Sequence, residues 1–341
     1  MGARAAAAQH APPPHAAPPF VASKTLFRTD GFAPFAVTAS PYDGGLVAVA
    51  AARNFGLKGG GRVYVCDVAR GCVRGVLDLR DGVFDVAWSE VQPDELVCGG
   101  GDGRVHRLRL ASATGADGAD GASTTITSST IFQHAREVSS IDWSPHRLPQ
   151  FLSTGWDGCV QVHGPGGSHC ALRLAQGVVH EARWAPRHPH LLAAVASDAQ
   201  LRVVDERVAP GAAPATLIAS PLDDDLLSLD WSKYDDFCLV TAGPADLNVW
   251  DLRCARAPTT RIPCAHARAI KRVRFSPWCG HQLASVGCDM ALRTWDLAAL
   301  NPRAASNDEF TEFATGLDWS LHARQLLYAC GWDETVRSFY L

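Results

Sequence analysis

Acidic and aromatic side chains recur at matched places along this 341-residue chain: Asp81, Asp85, Glu137, Asp225 and Glu312, and Phe84, Trp156, Phe313 and Trp332. Carboxylates pair with a basic group and aromatic faces cover an apolar one, so the set suits a ligand that is both cationic and amphipathic. His180 belongs to the same set, and Lys271 breaks its acidic trend in a way that suits a carboxylate or a second partner. Asp85 fits a ligand contact or an internal hydrogen bond equally, and Asp223 and Asp224 fit a binding rim or a solvated loop. No nucleophile, base and orienting group stand together, so catalysis is not expected. Gly59-Gly60-Gly61 after Lys58 lacks the helix and the Lys-Ser/Thr pair of a phosphate loop and reads as a turn. His188-Pro189-His190 and His169-Cys170 find no second pair of ligands, and neither a metal nor a cofactor is expected.

A repeat must position these residues. An aromatic anchor, usually followed by Ser, stands 14 residues before an Asp and 20 before a large residue in Trp88/Asp102/Leu108, Trp143/Asp157/His163, Trp184/Asp198/Val204, Phe275/Asp289/Trp295 and Trp319/Asp333/Phe339. Trp231 ending in Trp250-Asp251 is a unit one residue shorter, and Ala39-Ser40-Pro41 ending in Val65-Cys66-Asp67 is a longer first one. The seven anchors lie 41 to 55 residues apart, the period of a four-stranded propeller blade. Each unit alternates short extended runs with turns, as in Val138–Trp143, Phe151–Thr154, the turn Gly155-Trp156-Asp157-Gly158 and Val160–Val162.

A His nine residues before the anchor, His134 and His266, completes a pattern that resembles WD40 repeats. The expected fold is all-β, a seven-bladed WD40 propeller over residues 25–341, closed by an N-terminal strand near Thr25-Leu26-Phe27-Arg28 because the last unit holds only three strands. The resemblance implies a buried tetrad of His266, Ser285, Asp289 and Trp295 in unit six. It also implies that the positions three and five after the His place, and the one before the turn Asp, line the top face of the ring, which is where the acids and aromatics fall. Three units depart from the pattern: unit five has Leu222 at its His place and no Asp at its usual turn position, unit three ends in His163, and unit seven has Phe310 for His. These changes are expected to weaken the local tetrads without altering the fold.

Residues 1–24, rich in Ala, Pro and His, read as a disordered tail, and about 111–129, rich in Gly, Ala, Ser and Thr, as a mobile outer loop. A net charge of −4 with no long basic run argues against nucleic-acid binding. The 11 cysteines contain no C-x-x-C pair, which points to a reducing compartment, and no apolar run reaches membrane-spanning length, so direct membrane insertion is not expected.

Beyond the repeat, Asp81–Ser89, His134–Ser144, Ile270–Pro277, Gly331–Val336, Phe32–Pro41, Leu229–Tyr234, Trp250–Arg253 and Phe313–Asp318 closely resemble the receptors for the type-2 peroxisomal targeting signal, the peroxin-7 family. The resemblance runs in order from about residue 25 to 341. It implies a non-enzymatic import receptor that cycles between cytoplasm and peroxisome. Such a receptor binds an N-terminal cargo signal made of a basic and an apolar residue and, after five positions, His or Gln and another apolar residue. On a helix these pairs share one face two turns apart. The implied partners are cargo proteins, a co-receptor (the type-1 signal receptor or a dedicated peroxin) and the peroxisomal docking complex. The resemblance also supports Asp81, Glu137, Asp225 and Glu312 as acidic positions. Two alternatives are a substrate receptor of a cullin-type ubiquitin ligase, through Trp250-Asp251-Leu252-Arg253 with Arg253 exposed, and a generic WD40 scaffold.

Overall fold

A computed structural model describes residues 22–112, 124–147, 149–207, 216–219, 224–299 and 304–341. Seven four-stranded antiparallel sheets follow one another as blades. Their innermost strands are Ala33–Ala39, Val83–Trp88, Val138–Trp143, Val179–Trp184, Ser228–Trp231, Ile270–Phe275 and Ala314–Trp319. Each packs against the next and the last against the first, which makes the array a closed seven-bladed propeller.

Closure uses both ends of the chain. The strand Ala22–Arg28 pairs antiparallel with Thr335–Tyr340, from Ala22 opposite Tyr340 to Arg28 opposite Thr335, and supplies the outer strand that blade seven lacks. It begins at Ala22, inside the stretch read as a tail, and residues 1–21 lie outside the described residues. The stretch read as an outer loop is also shorter. Arg104–Ser112 pairs with Thr124–Gln133 up to Ser112 opposite Thr124, because the β-branched threonines favour extended backbone. Residues 113–123 lie outside the described set.

The core lies between blades. Trp88 packs with Ala48, Ala50, Val63 and Val65 of the preceding blade, and Trp319 with Ala284, Val286 and Leu292 of its own predecessor. Second strands such as Glu95–Gly100 and Leu326–Gly331 are buried along their whole length, which explains their continuous runs of small and apolar residues. Where Ser follows the anchor it turns the chain: Ser89 Oγ accepts from Val91 N and Gln92 N, and Ser232 Oγ from Tyr234 N and Asp235 N, all at 3.2 Å. The turn Asp does the same one connection later, with Asp157 accepting from Cys159 N at 3.1 Å. The residue after it adopts positive φ, and at Gly158 (φ +79) a Cβ would lie 2.2 Å from Ala175 O, so only glycine fits.

In blade six His266 Nδ1 bonds Asp289 at 2.7 Å and Nε2 bonds Ser285 Oγ at 2.7 Å, which also accepts from Trp295 Nε1 at 2.9 Å. Asp289 accepts further from Ala267 N and Arg293. Burial would raise its pKa, but the hydrogen bonds from His266 and Ala267 N, the His266 field and the Arg293 bond hold it well below the usual carboxylate range. Blade three is less altered than its sequence suggests: His163 Nε2 reaches Ser153 Oγ at 2.8 Å, replacing the Trp, while His134 bonds Ser153 and Asp157. Blade five keeps half of the arrangement, Trp250 Nε1 to Thr241 Oγ1 at 2.9 Å, while Asp246 ties Cys264 N and Arg261. In blade seven Phe310 replaces the His with an apolar contact, packing against Phe339.

Asp289→Ala should cost about 1–3 kcal/mol in urea unfolding by leaving buried donors unpaired, and more than Asp246→Ala. Burial lowers the pKa of both His134 and His266 below 6.5. On acidification the unfolded chain therefore takes up these protons first. Their contribution is full above the unfolded value and falls with pH from 6.5 towards the folded values, so the urea midpoint should be lower at pH 5 than at pH 7.

Candidate functional site

The His turns and the turn Asp residues lie at one end of the ring, the top face. There the structure gathers five rings from three blades. Phe84 packs on Phe35 (ring centroids 5.0 Å apart), Phe35 on Trp332 (5.5 Å), and Trp332 on both Phe313 (5.2 Å) and Phe55 (5.1 Å). The rings project from the starts of innermost strands and from second-to-third-strand connections, so well-packed blades fix the platform. Asp81 stands beside it: a Cβ on Gly101 would lie 3.2 Å from Asp81 Oδ1 and 3.4 Å from the Phe84 ring. Exposed Glu312 directly precedes Phe313. Neither acid has an ion-pair partner among the described residues.

The remaining candidates form two further groups. Trp156, 38% exposed, lies under the Arg136 guanidinium at 5.6 Å, and Arg136 also pairs with Glu137 at 3.4 Å. Trp156 N donates to Glu137 O, which fixes the acid and the ring side by side. His180, on blade four, has its pKa lowered first by burial, against the field of Asp225, with Lys271 lowering it further. These three side chains from blades four, five and six therefore share one neighbourhood, in which His180 Nε2 is buried without a hydrogen-bond partner among the described residues. Asp224 and Asp225 are exposed, and Asp223 lies outside the described residues.

Asp85 is not a rim residue. It is 5% exposed, accepts from Ile141 N at 2.9 Å with one carboxylate oxygen and pairs with Arg272 at 3.1 Å through the other. It belongs to a charged network inside the channel. Glu181 pairs with Arg272 and Arg274 at 2.7 Å and with Arg183 at 3.0 Å, and Arg183 reaches Asp142 at 2.8 Å. Burial alone would raise the Glu181 pKa, but Arg274, Arg272 and Arg183 hold it well below the carboxylate range. Burial raises Asp142 and Asp318 instead. A cavity of about 60 Å³ lined by Thr38, Asp85, Arg183, Arg272, Arg274 and Asp318 marks the channel. Among the described residues no three His, Cys, Asp or Glu side chains converge as metal ligands.

Known proteins match nearly the whole length of this chain. Over 323 residues the chain is 34% identical to the Peroxisomal targeting signal 2 receptor of Mus musculus, covering 93% of this chain and 96% of that one. The chain belongs to the peroxisomal targeting signal 2 receptor family. It is 33% identical over 297 residues to the receptor of that name in Homo sapiens (86% and 87% covered) and 25% over 379 residues to that of Saccharomyces cerevisiae (91% and 97%). No family model matches the chain.

In this family member two platform rings escaped the sequence reading. Phe35 holds the same place in unit one that Phe84 holds in unit two, four residues before the anchor, and was legible from the spacing. Phe55 sits in the enlarged connection of blade one, where the spacing gives no guide. The channel acids left a signal too, since Asp142, Asp230 and Asp318 each immediately precede an anchor Trp.

Replacing Glu181 by Gln leaves three buried guanidinium groups without their shared carboxylate, and loss of one partner in such a network costs about 3–5 kcal/mol. Urea unfolding should show a loss of that order for Glu181→Gln, against less than about 1 kcal/mol for Glu137→Gln on the rim.

Proposed function

We propose that this chain is an import receptor that binds the N-terminal type-2 peroxisomal targeting signal of cargo proteins on its top face. The observation that carries the reading is the aromatic platform of Phe35, Phe84, Phe313 and Trp332 flanked by the unpaired acids Asp81 and Glu312. A signal helix carries its basic and apolar residues on one face. Laid across the rim, it sets its apolar side chains on the rings and its cation among the acids, with Asp225 and the Glu137–Trp156 pair as further contacts. His180 and Lys271 offer polar contacts to the rest of the helix. The names of the mouse, human and yeast relatives support the signal class.

Delivery then follows from the family: the loaded receptor engages a co-receptor, either the type-1 signal receptor or a dedicated peroxin, meets the docking complex at the peroxisome and returns to the cytoplasm. The names of the relatives do not favour the ubiquitin-ligase reading; Arg253 is exposed, paired with Asp251 at 2.7 Å and placed over the Phe237 ring, as an ordinary repeat end is.

Titration of a labelled type-2 signal peptide into the folded receptor tests the reading. Glu137→Lys and Asp225→Lys should weaken binding about tenfold by opposing charge, and Trp156→Ala by lost contact area, with unfolding midpoints unchanged. Raising salt should weaken the wild-type complex as exposed pairs are screened. Unchanged affinity in all three variants, or no binding by the wild type with co-receptor present, would leave only a generic scaffold.

A further inference from the structure

The connection Arg53–Gly60 of blade one lies over the aromatic platform in an unusual conformation. Asn54 and Phe55 are both left-handed (φ 47 and 56), and neither is a glycine. Non-glycine residues in that region are strained, and the conformation persists only where the surroundings impose it. Gly56 (φ +76) then comes so close to the rings that a Cβ there would lie 2.7 Å from Phe84 and 3.1 Å from Phe35. The segment is tied at its base, Arg53 N to Gly60 O at 3.0 Å, and internally by Leu57 N to Asn54 O and Asn54 Nδ2 to Lys58 O. Among the described residues no hydrogen bond joins residues 54–59 to the rest of the protein. Ring contacts alone hold it down, chiefly Phe55 on Trp332.

Beneath it is an unmet donor. Trp332 Nε1 is buried with no hydrogen-bond partner among the described residues, although most buried indole N–H groups find one. Of the anchor tryptophans, Trp88, Trp231 and Trp319 donate to carbonyls of neighbouring blades at 3.2–3.3 Å, while Trp143 and Trp184 also lack a partner among the described residues; Trp332 differs from these two in lying at the rim, under an exposed segment. Phe55 is meanwhile 49% exposed and Leu57 87% exposed, so the segment shows apolar surface to solvent while covering a polar group.

We propose that residues 53–60 form a lid whose Phe55 occupies, in the free receptor, the place on Trp332 that an apolar side chain of the bound signal takes. Cargo displaces the lid, the left-handed pair relaxes, and Trp332 Nε1 becomes free to donate to an oxygen of the ligand. The inference deepens the receptor reading and rests on it for the identity of the ligand. Gly59 (φ +104), just inside the tied base, supplies the hinge.

The test uses the full chain and a labelled type-2 signal peptide. Phe55→Ala removes the occupant but leaves the platform, and should tighten binding about threefold or more. Trp332→Phe keeps the ring and removes the donor, and should loosen binding about fivefold with an unchanged unfolding midpoint. Affinity that is unchanged or weaker in Phe55→Ala, or unchanged in Trp332→Phe, overturns the proposal. A second measurement needs no ligand: exchange of the Trp332 indole proton, followed by NMR, should be at least tenfold faster in Gly56→Ala, whose new methyl group prevents the lid from seating. Equal exchange rates overturn the lid. Absence of peptide binding in every protein refutes the receptor reading, and the exchange rates then decide the lid by themselves.

Discussion

Each blade turns its innermost strand edge-on to the channel, and the N–H groups on that edge have no strand to pair with. The ring holds because the neighbouring blade supplies acceptors. Asp85 takes Ile141 N, Ser140 and Asp142 take Ala182 N and Trp184 N, Glu181 takes Leu229 N, Ser228 and Asp230 take Val273 N and Phe275 N, and Asp318 takes Ala39 N. The two junctions without such a bond use an indole instead, Trp88 to Thr38 O and Trp319 to Arg274 O. A carboxylate in this position satisfies a donor that would otherwise be buried unpaired, but it brings a charge into a narrow channel. Arg183, Arg272 and Arg274 neutralise that charge. The buried network is therefore a consequence of closing the sheet edges, and it fills the channel with paired charges.

At the rim the same framework gives two different mechanical situations. The rings of Phe35, Phe84 and Phe313 start from strands locked by packing and by blade-to-blade bonds, so they are a fixed surface. The Phe55 segment has no such ties and touches that surface only through ring contacts. A rigid platform with one loosely held cover can bind an amphipathic helix without rearranging the blades, since only a short loop has to move. Charge divides the rim as well: unpaired acids flank the rings at blades two and seven, while His180, Asp225 and Lys271 make the opposite side mixed.

The sequence by itself determined the seven units, the closing strand, the tetrad partners and most of the rim set. Each depends on a residue at a fixed offset from an anchor, and β-strand periodicity turns offset directly into position on a blade. It also carried the family, through runs such as Asp81–Ser89 that lie outside the repeat. Tertiary structure alone decided that Asp85 points inward, that His163 replaces a tryptophan on Ser153, and that Phe55 from an enlarged turn lands on Trp332 from the far end of the chain. In each of these cases the partner lies on another strand or another blade. A one-dimensional spacing fixes which face a residue occupies, but a contact between blades depends on how two faces meet once the ring has closed.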